Sequence, residues 1–550
     1  MLHKWKAADG GGCAGVAGGV DQRRRCVAAS LSTLIAATLA FLAYVAFFPD
    51  GGAHGLYRLW TCQDCAGDLG EFPGDEAAAA DGPSAARAAR SPTTLSHVAF
   101  GIGASARTWD QRRGYAELWW RPGQMRGHVW LEEQPASPWP AATCPPYRVS
   151  ADASRFGDRA PASRMARIVV DSFLAVAGEL GNGTAREEAR WFVMGDDDTV
   201  FFPDNLVAVL SKYDHEEMYY VGAPSESVEQ DVMHSYGTAF GGGGFAVSYP
   251  AAAALATAID GCLDRYRYFF GSDERVKACL SELGVPLTRE PGFHQVDIRG
   301  DAYGMLAAHP VAPLVSLHHL DHVAPISPQG KTALDAVRPL VGASRFDPAR
   351  ALQQSFCYQR GPGYVWSVSV SWGYTVQVYP WAVAPHELEV PLQTFRTWRS
   401  WADGPFVFNT RPLSPHDACA RPAMFFLGRV RNGTARTTVT EYARRAGAGA
   451  GPSKECDKAS FRAASTVHTV RVIAPRMSES DWRRVSAAAA SIRLDRLSEI
   501  LTLQQSRAYT LELDVFQAPR RQCCKTKRTR WGSVLEVRIR RCGRGELTSP

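Results

Sequence analysis

The sequence predicts an α/β fold with a mostly parallel sheet over residues 95–344, a β-rich unit over 345–550, and one N-terminal membrane helix. Three observations carry this. From residue 95 onward short apolar runs alternate with stretches of helical period, the pattern of strands joined by crossover helices. From residue 364 the period drops to two, as in YVWSVSVSWGYTVQVY at 364–379. Near the start, residues 26–48 run for 23 positions without a charge, long enough to cross a bilayer.

That apolar stretch follows Arg23, Arg24 and Arg25, with Lys4 and Lys6 further upstream, and the segment after it is acidic apart from Arg58. The asymmetry places residues 1–25 in the cytosol and everything after Phe48 in the lumen. A cleaved signal peptide is the competing reading, but its apolar core is usually about 7–15 residues, so an uncleaved signal anchor is favoured. Residues 49–94, rich in Gly, Ala, Pro and Asp, suit a flexible stem. Eleven of the 13 cysteines lie beyond Phe48, where disulfides form, and most read as structural bridges. Asn182 and Asn432 open N-glycosylation sequons. Cys62 and Cys65 have redox spacing without a following helix, and no His/Cys cluster completes a zinc site.

Length implies two globular units, since 550 residues exceed one ordinary core. With 45% hydrophobic and 21% charged residues the chain is an ordinary folded protein, and a net charge of +6 gives no reason to invoke nucleic acid. A first strand is expected within 95–105, a helix over 109–120, a strand over 127–131 and a helix over 163–180. Next come a strand at 191–195, a helix near 205–213 and a strand at 218–221.

The chemistry concentrates at WFVMGDDDTVFF, 191–202, where an apolar strand stops at three carboxylates and a second apolar run follows. Adjacent acids repel unless a cation sits among them, and oxygen ligands suit Mg²⁺ or Mn²⁺. In parallel sheets ligands gather at the carboxyl ends of strands, where Asp196, Asp197 and Asp198 fall. A solvated acidic turn is the bland alternative. Glycines 241–244 precede another apolar strand, and without side chains their backbone admits a close neighbour, although a simple turn reads the same. Asp273, after an aromatic run and before a helix, is either a cap or an acid able to deprotonate a hydroxyl. His318, His319 and His322 crowd five residues, and imidazole can complete a carboxylate shell. His294 is a weaker candidate. The tryptophans at 366, 372, 381, 398 and 401 could stack on sugars, but most read as core.

Taken in order, WFVMGDDDTVFF, FGGGGFAV, GSDERVKACLSELGV and LVSLHHLD resemble the inverting β-1,3-glycosyltransferases of the fringe type and the related core β-1,3-galactosyltransferases. SVSWGYTVQVYPW, RTWRSW and RRQCC resemble a plant group of fringe-related proteins. The first resemblance covers roughly residues 95–325. It implies a GT-A fold, a UDP-sugar donor, Mn²⁺ (or Mg²⁺) as cofactor, and a glycan or glycoprotein acceptor. By that resemblance Asp198 is the direct metal ligand, Asp196 and Asp197 lie near ribose and sugar, and Gly242, Gly243 and Gly244 line the donor. Asp273 matches the catalytic base, and His318 or His319 the late metal ligand. The expected setting is a single-pass type II Golgi membrane protein with a luminal catalytic domain. Lys277 stands where the family often has Gly, and FHQV at 293–296 replaces a fringe-like FHxH. A lectin-like descendant without turnover and a metal-dependent phosphohydrolase are the rival expectations; the latter lacks a second cluster of acids and histidines close in sequence.

Overall fold

The structure is a computed structural model and describes residues 91–181, 189–413, 417–444, 456–478, 482, 521–529, 532–543 and 546–550. Contacts divide the chain into Met1–Ala89 and Arg90–Pro550. The expected membrane segment 26–48, nearly all of the stem, Cys62, Cys65 and the sequon at Asn182 lie outside the described residues. Among the described residues no helix is long and apolar enough to cross a membrane.

The unit Arg90–Pro550 holds two large sheets. Its first half runs β1 (Val98–Gly103), α1 (Trp109–Trp119), β2 (Arg126–Leu131), β3 (Tyr147–Val149), α2 (Ala160–Gly181), β4 (Trp191–Asp196) and β5 (Val200–Phe201). It continues with α3 (Pro203–Leu210), β6 (Tyr220–Gly222), α4 (Val228–His234), β7 (Phe245–Ser248), α5 (Tyr249–Arg265), α6 (Ser272–Glu282) and β8 (Leu287–Arg289). After these come β9 (Ile298–Gly300), α7 (Tyr303–Ala307), β10 (Ser316–Leu317) and α8 (Ala333–Ser344).

Seven strands form one sheet in the order β3-β2-β1-β4-β7-β6-β8. All pairs are parallel except those made by β7, which runs against both neighbours. The apolar runs read as strands because both faces are covered. Trp191 and Val193 enter one core with α1 and α3, whereas Phe192 and Met194 enter another with α2, α5 and α6. The sheet is therefore the middle of three layers. A disulfide between Cys262 and Cys279 ties α5 to α6.

The second half carries β11 (Gln354–Gly361), β12 (Tyr364–Ser371), β13 (Thr375–Tyr379), β14 (Phe395–Thr397), β15 (Ala423–Asn432), β16 (Thr437–Arg444), β17 (Thr469–Pro475), β18 (Cys523–Arg528) and β19 (Val534–Arg540). Eight of them make a sheet in the order β11-β12-β13-β15-β16-β17-β19-β18. It curls until its edges meet: Cys357 on β11 is bonded to Cys524 on β18, and the Thr526 hydroxyl donates to the Tyr358 carbonyl at 3.2 Å. The barrel-like interior is filled by Trp366, Trp372, Tyr442 and a set of valines. Trp366 and Trp372 are thus core, and Cys419–Cys456 and Cys523–Cys542 brace the same half.

A boundary was expected after residue 344, but it falls inside one compact unit. Tyr374, Phe395 and Phe426 share a core with Trp119, Phe201 and Leu340. The short strand β14 leaves the barrel half and pairs antiparallel with β9, setting Thr397 opposite Ile298. That crossing brings the second half to the edge of the candidate site.

Candidate functional site

β4 ends at Asp196, and the turn after it is held at three points. The Asp196 amide donates to the Thr199 hydroxyl at 2.8 Å, that hydroxyl donates to the Gly242 carbonyl at 2.7 Å, and the Trp119 indole donates to the Thr199 carbonyl at 3.0 Å. β5 then pairs antiparallel with β10, with Leu317 opposite Val200. The residue after β10 is His318, so the register alone carries it to the acids. Its Nε2 lies 3.0 Å from Asp198 Oδ1 and 3.7 Å from Asp196 Oδ2.

Asp198 and His318 are 2% and 3% exposed, so their charges are felt strongly. Burial pushes the Asp196 carboxyl up to about 7, with Asp198, Asp273 and Asp197 adding repulsion against the pull of His318. Burial also raises Asp197, which the Arg112 guanidinium partly offsets. Burial opposes ionisation of Asp198 too, but His318 and Arg112 hold it well below the usual carboxylate range. His318 goes the other way: despite burial, Asp198 and Asp196 raise it to about 9. Arg112, from α1, donates to Asp197 Oδ1 at 2.9 Å and lies 3.3 Å from Asp198 Oδ2.

Asp196, Asp198 and His318 each offer a ligand atom, and these atoms lie within 4.8 Å of one another. Asp198 Oδ1 is buried and, although close to His318, has no hydrogen-bond partner of acceptable geometry. A buried carboxylate oxygen between a second carboxylate and an imidazole is a donor set that fits Mn²⁺ or Mg²⁺.

His319 is placed differently. Its backbone is left-handed (φ 50°), and its Nδ1 meets Asp297 Oδ1 at 2.9 Å while its ring stacks on Trp398 at 4.7 Å. Of the two histidines the sequence left open, His318 reaches the carboxylates and His319 turns to Asp297. His294 is not at the cluster either: it joins Glu226 at 3.1 Å and His309 at 2.9 Å.

The glycine loop closes the opposite wall. A Cβ on Gly242 would stand 2.1 Å from His318 Cε1, and one on Gly241 would stand 2.6 Å from Asp273 Oδ1. Gly243 donates its amide to Gln295 Oε1 at 2.5 Å, and Gly244 has φ +85°, where glycine is favoured. A Cβ on Gly243 would press on the backbone of Gln295 and His294, so close packing on this side demands glycine at both Gly242 and Gly243.

Asp273 sits in the first turn of α6. The cap is made by Glu274, which accepts from the Gly271 amide at 3.1 Å, so Asp273 is not consumed as a cap. Arg275 anchors that turn through the Phe269 carbonyl at 2.8 Å. Burial raises the Asp273 carboxyl, whereas the Gly241 backbone, Ser272 and His318 draw it down. The loop thus spans from Asp273 to His318 and sets a half-buried acid beside the cluster.

Sequence reasoning missed Arg112, Asp297 and the placement of Trp398. Arg112 has no local signal among the basic residues of α1, and Trp398 was read with the core tryptophans. Asn432 is exposed at the end of β15, its Oδ1 accepting from Arg476 at 2.7 Å. Cys144 is a buried free thiol, raised to about 11 chiefly by burial.

A family model described as "Protein of unknown function, DUF604" matches residues 230–492. The match takes in Asp273, His318 and Trp398, and leaves the triad Asp196, Asp197 and Asp198 outside it. No curated protein matches the chain.

Proposed function

We propose that the chain is an inverting glycosyltransferase of GT-A type that moves a sugar from a UDP-sugar to a hydroxyl of a glycan or glycoprotein, forming a β-1,3 linkage. The single observation that carries this reading is the meeting of Asp196, Asp198 and His318 beside Asp273. The first three would hold Mn²⁺, and a bound divalent cation would offset charge developing on a departing diphosphate.

This chain's own residues supply the rest. Asp196 at the end of β4 and Asp198 in the turn after it present the oxygens, and Arg112 sets a positive charge beside Asp197 and Asp198. Asp273 accepts the proton of the acceptor hydroxyl as that oxygen bonds to the anomeric carbon. The bond from that carbon to the diphosphate oxygen breaks in the same displacement, and UDP leaves with the electron pair. One displacement from the face opposite UDP inverts the configuration. The setting proposed with this reaction is the Golgi lumen, on a type II anchor at 26–48.

The test is UDP release by the full chain from a panel of UDP-sugars with Mn²⁺. Asp273→Asn is expected to keep its Mn²⁺-dependent affinity for UDP and to lose turnover by about 10²–10⁴-fold. Turnover near the wild-type rate would remove Asp273 from the chemistry. UDP binding without turnover on any donor would favour the lectin-like alternative, and release of inorganic phosphate would favour a hydrolase.

A further inference from the structure

We propose that Trp401 and the cleft beside it form a saccharide-binding subsite, separate from the carboxylate–histidine cluster and contributed by the second half of the chain. Its role as an acceptor subsite rests on the transferase reading; the site itself does not.

Residues 397–402 form a tight loop after β14. Thr397 donates its amide to the Ala402 carbonyl at 2.9 Å, and Ala402 donates its own to the Thr397 hydroxyl at 2.9 Å. Arg396 donates to the Trp401 carbonyl at 3.2 Å, and the Arg399 amide to Glu229 of α4 at 2.8 Å. This bracing holds Trp401 at φ 54°, a left-handed conformation that a bulky residue rarely adopts. The cost of such backbone, of order 1–3 kcal/mol, is met only where the surroundings fix it, and these positions cluster at ligand sites.

The two tryptophans of the loop are used in opposite ways. Trp398 points inward, with His319 on one face and the Arg299 guanidinium 3.8 Å from its ring centre. Trp401 points outward with 55% of its surface exposed, and Arg299 stands 5.8 Å from its ring. Beside the loop lies a cleft of about 710 Å³ that Arg396 and Asp403 flank and Gln393 and Thr410 line. Ligand pockets are typically about 300–1,000 Å³.

An exposed indole on a loop whose flanking Arg396 and Asp403 line a cleft, with Leu392, Phe395, Leu413 and Met424 as its apolar wall, fits a pyranose, which has an apolar ring face and a rim of hydroxyls. A protein partner would call for a larger apolar surface around the anchor. The connection to the cluster is direct: Trp401 is three residues from Trp398, which stacks on His319, the neighbour of His318.

The test is calorimetry on the full chain, without nucleotide, using β-1,4-galactotetraose, β-1,3-galactotriose and cellotetraose. At least one is expected to bind, with Trp401→Ala weakening it tenfold or more and Trp401→Phe by less than threefold, while the Mn²⁺-dependent affinity for UDP stays unchanged in both. If none of the three binds, or if Trp401→Ala binds as the wild type does, the subsite is overturned. A dimer lost in Trp401→Ala without any saccharide effect would also overturn it. If saccharide binding depends on Trp401 but the wild type has no Mn²⁺-dependent affinity for UDP, the transferase reading fails and the subsite stands.

Discussion

Two adjacent histidines illustrate how little residue type decides on its own. His318 and His319 have the same chemistry, yet pairing of β5 with β10 sends one to Asp198 and a left-handed turn sends the other to Asp297. Their removal should therefore differ. His318→Ala is expected to weaken Mn²⁺-dependent UDP binding by more than about 100-fold, and His319→Ala by roughly 10-fold, since the His319 ring centre lies 3.9 Å from that of His318 and supports it. Titration of UDP into each variant with Mn²⁺ present measures this, and equal losses would mean that the two rings act as one. The acid triad was legible because three carboxylates between two apolar strands need a reason. Arg112 was not, because its role depends on where α1 crosses the end of β4, and no local pattern encodes a crossing.

At the scale of elements, the strands and helices of the first half announce themselves by period. The helix expected over 163–180 spans Ala160–Gly181, and the strand expected at 191–195 spans Trp191–Asp196. The helix near 205–213 instead begins at Pro203 and ends at Leu210, since proline starts a helix well and the Ser211–Tyr213 stretch closes as a turn. β7 escaped a parallel reading because a short apolar run carries no direction. Long-range pairing explains the other omission: β14 is three residues, and only its partner β9 makes it a strand. The glycine loop gives an element-scale prediction. Gly242→Ala should leave the fold intact but displace the His318 ring, which a methyl would approach to 2.1 Å. Mn²⁺-dependent UDP affinity should fall at least tenfold, roughly 1.4 kcal/mol, with the far-UV spectrum unchanged. Unaltered affinity would show that the loop yields more easily than the close packing implies.

Across the whole molecule, the β-rich texture of the second half was readable, but its closure and its share in the first half's core were not. Both arise from contacts between residues more than a hundred positions apart, such as Cys357 with Cys524. Loss of that bridge in Cys357→Ser should lower stability by about 2–5 kcal/mol, since it spans 167 residues. Because Tyr374 and Phe426 pack with Trp119 and Phe201, barrel and α/β layers should unfold together. Denaturant titration followed by tryptophan fluorescence and by UDP binding would then give coincident curves, whereas separate midpoints would mean that the halves are independent. The crossing of β14 has a temporal side as well. During synthesis the acids, the glycine loop and both histidines are all made before Phe395 exists, so a chain paused there holds every ligand atom while His319 still lacks its stacking partner. The packing behind His319 would therefore arrive only after Trp398 has been made, later than any residue of the cluster itself.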